Sequence, residues 1–144
     1  TLIQTDHGVP TSTGSPALAV YNGALYMAFK GETSDQLYMA RFDGAQWRGN
    51  TPITTDHGAA LSPITPWMAP LADELMMLFK GSDSDYIYLA GLLGTAWVGN
   101  ERLSRTTPIS PLTNAPGAIA ALGDELVMVF KGADSNRLYQ ANCK

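Results

Sequence analysis

Ten residues recur three times in this chain. Phe29-Lys30-Gly31-Glu32-Thr33-Ser34-Asp35-Gln36-Leu37-Tyr38 returns as Phe79-Lys80-Gly81-Ser82-Asp83-Ser84-Asp85-Tyr86-Ile87-Tyr88, and again as Phe130-Lys131-Gly132-Ala133-Asp134-Ser135-Asn136-Arg137-Leu138-Tyr139. The copies are spaced by 50 and 51 residues. A period of that length makes the repeat the folding unit, because one supersecondary unit cannot bury its apolar face alone.

Aligned on that motif, each repeat reads as four short strands. The first is Ala17–Tyr21, Trp67–Leu71 and Gly117–Ala121, rich in small residues. A tight turn follows, Asn22-Gly23 or Ala72-Asp73, and Asn-Gly between apolar runs is a strong hairpin signal. The third copy is read with its one extra residue here, around Leu122-Gly123-Asp124. The second strand is Leu25–Lys30, Leu75–Lys80 and Leu126–Lys131; in the later copies it is apolar on both faces up to the lysine, as a sandwiched strand must be. The third is Leu37–Phe42, Ile87–Leu92 and Leu138–Cys143, and the fourth opens at Trp47 or Trp97 and ends near Ile53 or Leu103. Pro and Gly interrupt every window long enough for a helix.

Long polar loops precede the first strands, at roughly 5–16, 55–66 and 105–116. Two of them carry Thr-Asp-His-Gly, at 5–8 and 55–58; the third has Arg105-Thr106-Thr107-Pro108. The third repeat lacks the segment found at 44–50 and 94–100, while Thr1–Gln4 matches the end of a fourth strand. That offset is the pattern of a ring closed by pairing an N-terminal strand into the last unit.

The expected fold is therefore all-β: three four-stranded antiparallel blades, at about 15–54, 65–104 and 115–144, the last completed by residues 1–4 of a partner chain. The repeats resemble the LY-x-x-F-K-G, S-x-x-LY, F-D-G-x-x-W units of bacterial and fungal propeller lectins and sialidase-like propellers, and the resemblance runs through all three copies. It implies a propeller, whose blades number at least about four. Three blades cannot close, and two wet blade flanks would exceed the apolar patch a monomer tolerates. At roughly 25 cal/mol per Å², several hundred exposed Å² forgo on the order of 10 kcal/mol. A homodimeric six-bladed β-propeller follows, with two-fold symmetry. A monomeric β-trefoil is the alternative that also uses three four-stranded units.

The composition narrows the partners. A net charge of −4, with no basic stripe, argues against nucleic acid. No apolar run of 18 residues predicts membrane insertion, and residues 1–20 lack the charged start and apolar stretch of a signal peptide. The one cysteine, Cys143, has no internal partner. No phosphate loop, Cys/His metal spacing or nucleophile elbow is present, so no cofactor, metal or catalytic group is expected.

In a blade, the long loop and the turn between second and third strands lie on one face of the ring, and loops on a rigid scaffold are where binding concentrates. The ligand sites are expected there, between neighbouring blades. Asp6-His7 and Asp56-His57 offer a carboxylate and an imidazole to sugar hydroxyls; the plainer reading is an aspartate tying its loop. Lys30, Lys80 and Lys131 are donors for ligand oxygens, or strand-end charges snorkelling to water. Asp35, Asp85 and Asn136 suit either a ligand or the turn itself, and too few oxygens surround Asp83 and Asp85 for calcium. Trp47 and Trp97 read as packing between layers. Trp67 stands where Ala17 and Gly117 stand in the other copies, which suggests a site wall. Tyr86 and Arg137 supply a stacking face and a donor beside the same turn.

The function expected from this reading is non-catalytic carbohydrate binding by a multivalent lectin, with glycans as partners and agglutination blocked by a simple sugar. A propeller that binds protein through the same face is the runner-up, and a piece of a sialidase-type enzyme the third reading.

Overall fold

The computed structural model describes residues 1–103 and 111–142, and all of its regular structure is β. The Arg105-Thr106-Thr107-Pro108 segment and Cys143 lie outside the described residues. Thirteen strands follow in order. The first sheet is β1 (Ala17–Tyr21), β2 (Ala24–Lys30), β3 (Leu37–Phe42) and β4 (Trp47–Pro52). Next come the short β5 (Thr54–Thr55) and β6 (Gly58–Ala59), then β7 (Trp67–Leu71), β8 (Glu74–Lys80), β9 (Ile87–Leu93) and β10 (Ala96–Arg102). The last three are β11 (Ala118–Leu122), β12 (Glu125–Lys131) and β13 (Leu138–Asn142).

The sheets are not identical. The first has four strands, β1-β2-β3-β4, all antiparallel. The second repeats that order as β7-β8-β9-β10 and gains β5 and β6 at its outer edge, making six. β5 runs parallel to β10 there, through Trp97 and Thr55. The third has three strands, β11-β12-β13. Residues 1–4 form no strand. Instead, Ile3 packs on Met27, Phe29 and Ala40 of the first sheet.

Register corrects one expectation. All three hairpins between first and second strands have two central residues, Asn22-Gly23, Ala72-Asp73 and Gly123-Asp124, closed by Tyr21–Ala24, Leu71–Glu74 and Leu122–Glu125. The extra residue of the third repeat is therefore not in the turn. Ile53 and Leu103, 50 residues apart, donate their N–H to Leu37 and Ile87; Ser62 and Thr113, 51 apart, donate theirs to Asp35 and Asp85. The insertion thus falls between Leu103 and Thr113, in the loop, where added length costs least. The first strand of the third repeat shifts by one residue, to begin at Ala118.

Each middle strand has two apolar faces, and the two point to different neighbours. The first sheet presents Tyr26, Ala28 and Leu37 to Leu75, Met77 and Phe79 of the second. The second presents Trp67, Leu78 and Ile87 to Met128 and Phe130 of the third, with Ala69, Leu71 and Met76 around Leu126. The small first strands allow this: β1 lies against β7 and β7 against β11. One face of each sheet is therefore leading and the other trailing, and the first two trailing faces are sealed by the next leading face.

The third trailing face has no such cover. Leu37 and Ile87 are 0% exposed, whereas their counterpart Leu138 is 73% exposed. Tyr21 and Leu71 are 5% and 8% exposed, and their counterpart Leu122 is 72%. The residue type is kept while the burial is lost, so the difference comes from the missing neighbour.

The hairpin residue Ala72 sits at φ 50°, where Asn22 has 47° and Gly123 has 65°. A left-handed alanine costs roughly 1–2 kcal/mol. Ala72→Gly is expected to raise unfolding stability by about 1 kcal/mol, read as a higher urea midpoint at unchanged slope; no change would show that the turn is not strained.

Candidate functional site

Each recurring ten-residue motif folds into one object. The second strand ends at the lysine, the chain turns, and the third strand returns with a tyrosine facing the phenylalanine it left. Phe29–Tyr38, Phe79–Tyr88 and Phe130–Tyr139 stack with ring centroids 5.8, 5.7 and 5.8 Å apart. The glycine after the lysine has a steric reason. A β-carbon on Gly31, Gly81 or Gly132 would stand 2.9, 2.7 or 2.7 Å from Cε2 of that tyrosine. The ring lies on bare backbone, and no other residue admits it.

The lysine holds the turn from inside. Lys30 Nζ donates to the carbonyls of Gly31 and Ser34, both at 3.0 Å, and lies 3.3 Å from Thr13 Oγ1. Lys80 Nζ reaches the same two carbonyls at 3.2 and 2.8 Å and Asp85 Oδ1 at 3.3 Å. Lys131 Nζ donates to Gly132 O at 3.1 Å and Asn114 Oδ1 at 3.0 Å. The side chains of Lys30 and Lys80 are largely buried, so these are charge-assisted bonds that close the turn.

Beside two of these turns lies a cleft made from equivalent residues. The first, of about 190 Å³, is lined by Thr11, Phe29, Gly31–Ser34, Tyr38 and Asn50. The second, of about 300 Å³, is lined by Ala59, Leu61, Phe79, Gly81–Ser84, Tyr88 and Asn100. The long loop and the turn thus meet in one place, but each cleft is lined from one sheet and the loop before it rather than from two neighbouring blades as expected. The floor is aromatic, one wall is a polar turn, and the opposite wall is an asparagine from the outermost strand.

That asparagine is set by a bulge. Gly49 (φ 96°) pairs with Ala40 and Gly99 (φ 122°) with Ala90, and the next residues, Asn50 (φ 71°) and Asn100 (φ 63°), are left-handed and skipped by the register. The Asp-His-Gly loops hold the bulge. Asp6 Oδ1 accepts the Gly49 N–H at 2.7 Å, and Asp56 Oδ1 accepts the Gly99 N–H at 2.8 Å. Asn50 Nδ2 donates to His7 O, and Asn100 Nδ2 donates to Gly58 O and Ala59 O. The Gly49 and Gly99 amides lower the pKa of Asp6 and Asp56 below the ordinary 3.8. Asn100 Oδ1 is buried with no hydrogen-bond partner.

The residues read as ligand groups from sequence divide accordingly. Asp6, Asp56 and the three lysines line neither cleft; the aspartates accept backbone amides, and the lysines bond turn carbonyls together with Thr13, Asp85 or Asn114. The His7 and His57 imidazoles are exposed, and His57 Nε2 lies 3.9 Å from Asp56 Oδ2. Asp35 joins two repeats, its Oδ2 accepting the Ser82 hydroxyl at 2.7 Å. Asp85 pairs with Lys80, and Asn136 and Arg137 are exposed in the third turn. Tyr86 already carries the Arg102 guanidinium 4.5 Å above its ring.

Trp67 is not a wall of either cleft. It is 4% exposed and fills the space between second and third sheets, against Leu78, Ile87, Met128 and Phe130. Register pairs Ala17 with Ala28, Trp67 with Leu78 and Ala118 with Val129, so its counterpart is Ala118, while Gly117 leaves room for the ring itself. Trp97 is likewise core, and Trp47 packs 5.4 Å from the Phe42 ring.

The lining residues that sequence reasoning passed over are Phe29, Ser34, Tyr38, Asn50 and their second-repeat partners. Their signal was present: the phenylalanine, glycine, serine and tyrosine of the motif recur three times, and Gly-Asn recurs at 49–50 and 99–100. Among the described residues, no group of three or more His, Cys, Asp or Glu is placed to hold a metal ion.

Because folding lowers the Asp56 pKa, its bond to Gly99 is complete above the ordinary carboxylate value and is lost as pH falls through the folded-state value. The Gly99 amide resonance is expected to titrate with a midpoint below 3.8, and Asp56→Ala is expected to abolish that titration. A midpoint at or above 3.8 would contradict the anchoring role. No protein-family model matches this chain, and a search of curated proteins returns no match.

Proposed function

We propose that this chain is a non-catalytic, multivalent carbohydrate-binding module whose sites are the repeated clefts. One observation carries the reading: the same cleft is built twice, from equivalent residues, with an aromatic floor and polar walls. Aromatic rings offer apolar faces to the C–H surfaces of a sugar, and short polar side chains and backbone meet its hydroxyls. The second cleft is at the lower end of small-ligand pockets, roughly 300–1,000 Å³, which suits a single sugar ring better than a long chain. Each lining holds one carboxylate, Glu32 in the first and Asp83 in the second, whereas glycoside hydrolysis uses two flanking the scissile bond.

The three sheets are read as blades, and the open trailing face of the third as the seat for the leading face of a second copy. The pairing would set Leu122, Val129 and Leu138 against the face that carries Leu25, Met27 and Phe29, where Met27 and Phe29 are already covered by Ile3, Tyr38 and Trp47 and that cover would have to shift. Ile3 then lies at the seam. A homodimeric ring of six blades displays its clefts on one face, and weak single-ring affinity is multiplied when several engage one surface, commonly by 10²–10⁴.

A titration with a panel of methyl glycosides tests the reading. The Tyr38, Tyr88, Asn50 and Asn100 resonances are expected to shift together with millimolar affinity, about −4 kcal/mol. Gly81→Val forces Tyr88 off the turn and is expected to silence the second cleft while the first still responds; Tyr88→Ala gives the same result without the clash. If no glycoside moves any of the four residues, the proposal fails.

A further inference from the structure

The two clefts match in position but not in chemistry. Both are lined by Phe, Gly, Ser, Tyr and Asn at equivalent places, and they differ at the loop wall, where Thr11 lines the first and Leu61 the second. We infer that Leu61 makes the second cleft selective for a sugar ring bearing a methyl group, on an acetamido or a deoxy carbon, while the first cleft does not distinguish such a ring. This selectivity rests on the clefts being sugar sites, and it makes the two of them non-interchangeable.

Leu61 is an exposed leucine held in place. It is 41% exposed, between Ala60 and Ser62, which are both 0% exposed. That alternation is the period of an extended segment, and it turns the leucine away from the interior and toward the cleft it lines. Backbone fixes it there. Residue 61 bridges to Gln36 of the preceding motif, and the Ser62 N–H is donated to Asp35 O at 2.8 Å. Neither contact uses the leucine side chain, so both would hold a threonine equally well. A polar residue would also be easier to leave in water, since wet apolar surface costs roughly 25 cal/mol per Å².

The rest of the second cleft suits a methyl-bearing ring. Its volume is about 300 Å³ against about 190 Å³ for the first, and Ala59 adds a small apolar surface beside Leu61. Phe79 and Tyr88 form the floor, with their rings stacked. A sugar laid on that floor meets an apolar edge at Leu61, and its hydroxyls meet Asp83, Ser84 and Asn100. In the first cleft the same place is an exposed threonine. Thr11 offers a hydroxyl and a single methyl there, so a sugar hydroxyl and a sugar methyl are received alike.

The test titrates the full chain with methyl glucoside, its N-acetylglucosaminide counterpart and its deoxy counterpart, methyl quinovoside, and follows each cleft by its own resonances. At the second cleft, read from Tyr88 and Asn100, at least one methyl-bearing glycoside is expected to bind about four-fold tighter than methyl glucoside, the gain from burying one methyl group. At the first, read from Tyr38 and Asn50, all three are expected to bind alike. The acetamido and deoxy arms tell which carbon carries the recognised group. Leu61→Thr is expected to bring the ratio at the second cleft to one, and Thr11→Leu to raise the ratio at the first. Equal affinities for all three glycosides at the second cleft, or a preference that survives Leu61→Thr, would overturn the selectivity and leave the sugar-binding reading standing. Binding of none of them at either cleft would overturn both.

Discussion

The structure depends on one requirement: the trailing face of each sheet must be sealed by the leading face of the next. Middle strands that are apolar on both sides cannot be satisfied by a single sheet with one wet face. Fully burying a leucine or valine is worth about 1.5–3 kcal/mol, and each junction here buries several such side chains together. The small first strands, the tryptophan between second and third sheets, and the bond from Ser62 in the following loop back to Asp35 all serve that contact. The third sheet carries the same apolar residues without the contact, and Leu122 and Leu138 stand exposed there.

The two clefts are by-products of the same geometry. A lysine must end the buried strand, and its ammonium finds carbonyls in the turn rather than a ligand. Relieved of a side chain at the glycine, the turn lets a tyrosine lie flat against it, which makes an aromatic floor. The aspartate of the long loop holds the bulge that supplies the facing asparagine. The most obviously polar residues therefore build the site, and the less conspicuous Phe, Tyr, Ser and Asn line it.

Much of the architecture was legible in the sequence, because strand periodicity and turn chemistry are local. The Asn22-Gly23 hairpin and the two-faced Leu75–Lys80 strand could be read directly, and so could the meeting of loop and turn. What escaped was relational. Whether Trp67 faces a ligand or another sheet depends on Gly117 and Met128, more than forty residues away. The placement of the third repeat's extra residue depends on register, since one residue moved from turn to loop slides a whole strand. Asp6 and Asp56 looked like ligand groups because their partners, the amides of Gly49 and Gly99, are backbone and leave no trace in composition.

The central claim, that a bare trailing face demands another leading face, is tested most directly by sedimentation equilibrium on the chain at micromolar concentration. The account predicts a mass of two chains, falling to that of one when Leu138→Glu places a charge at the centre of the seam. A parent chain that sediments at 15.4 kDa throughout would contradict it.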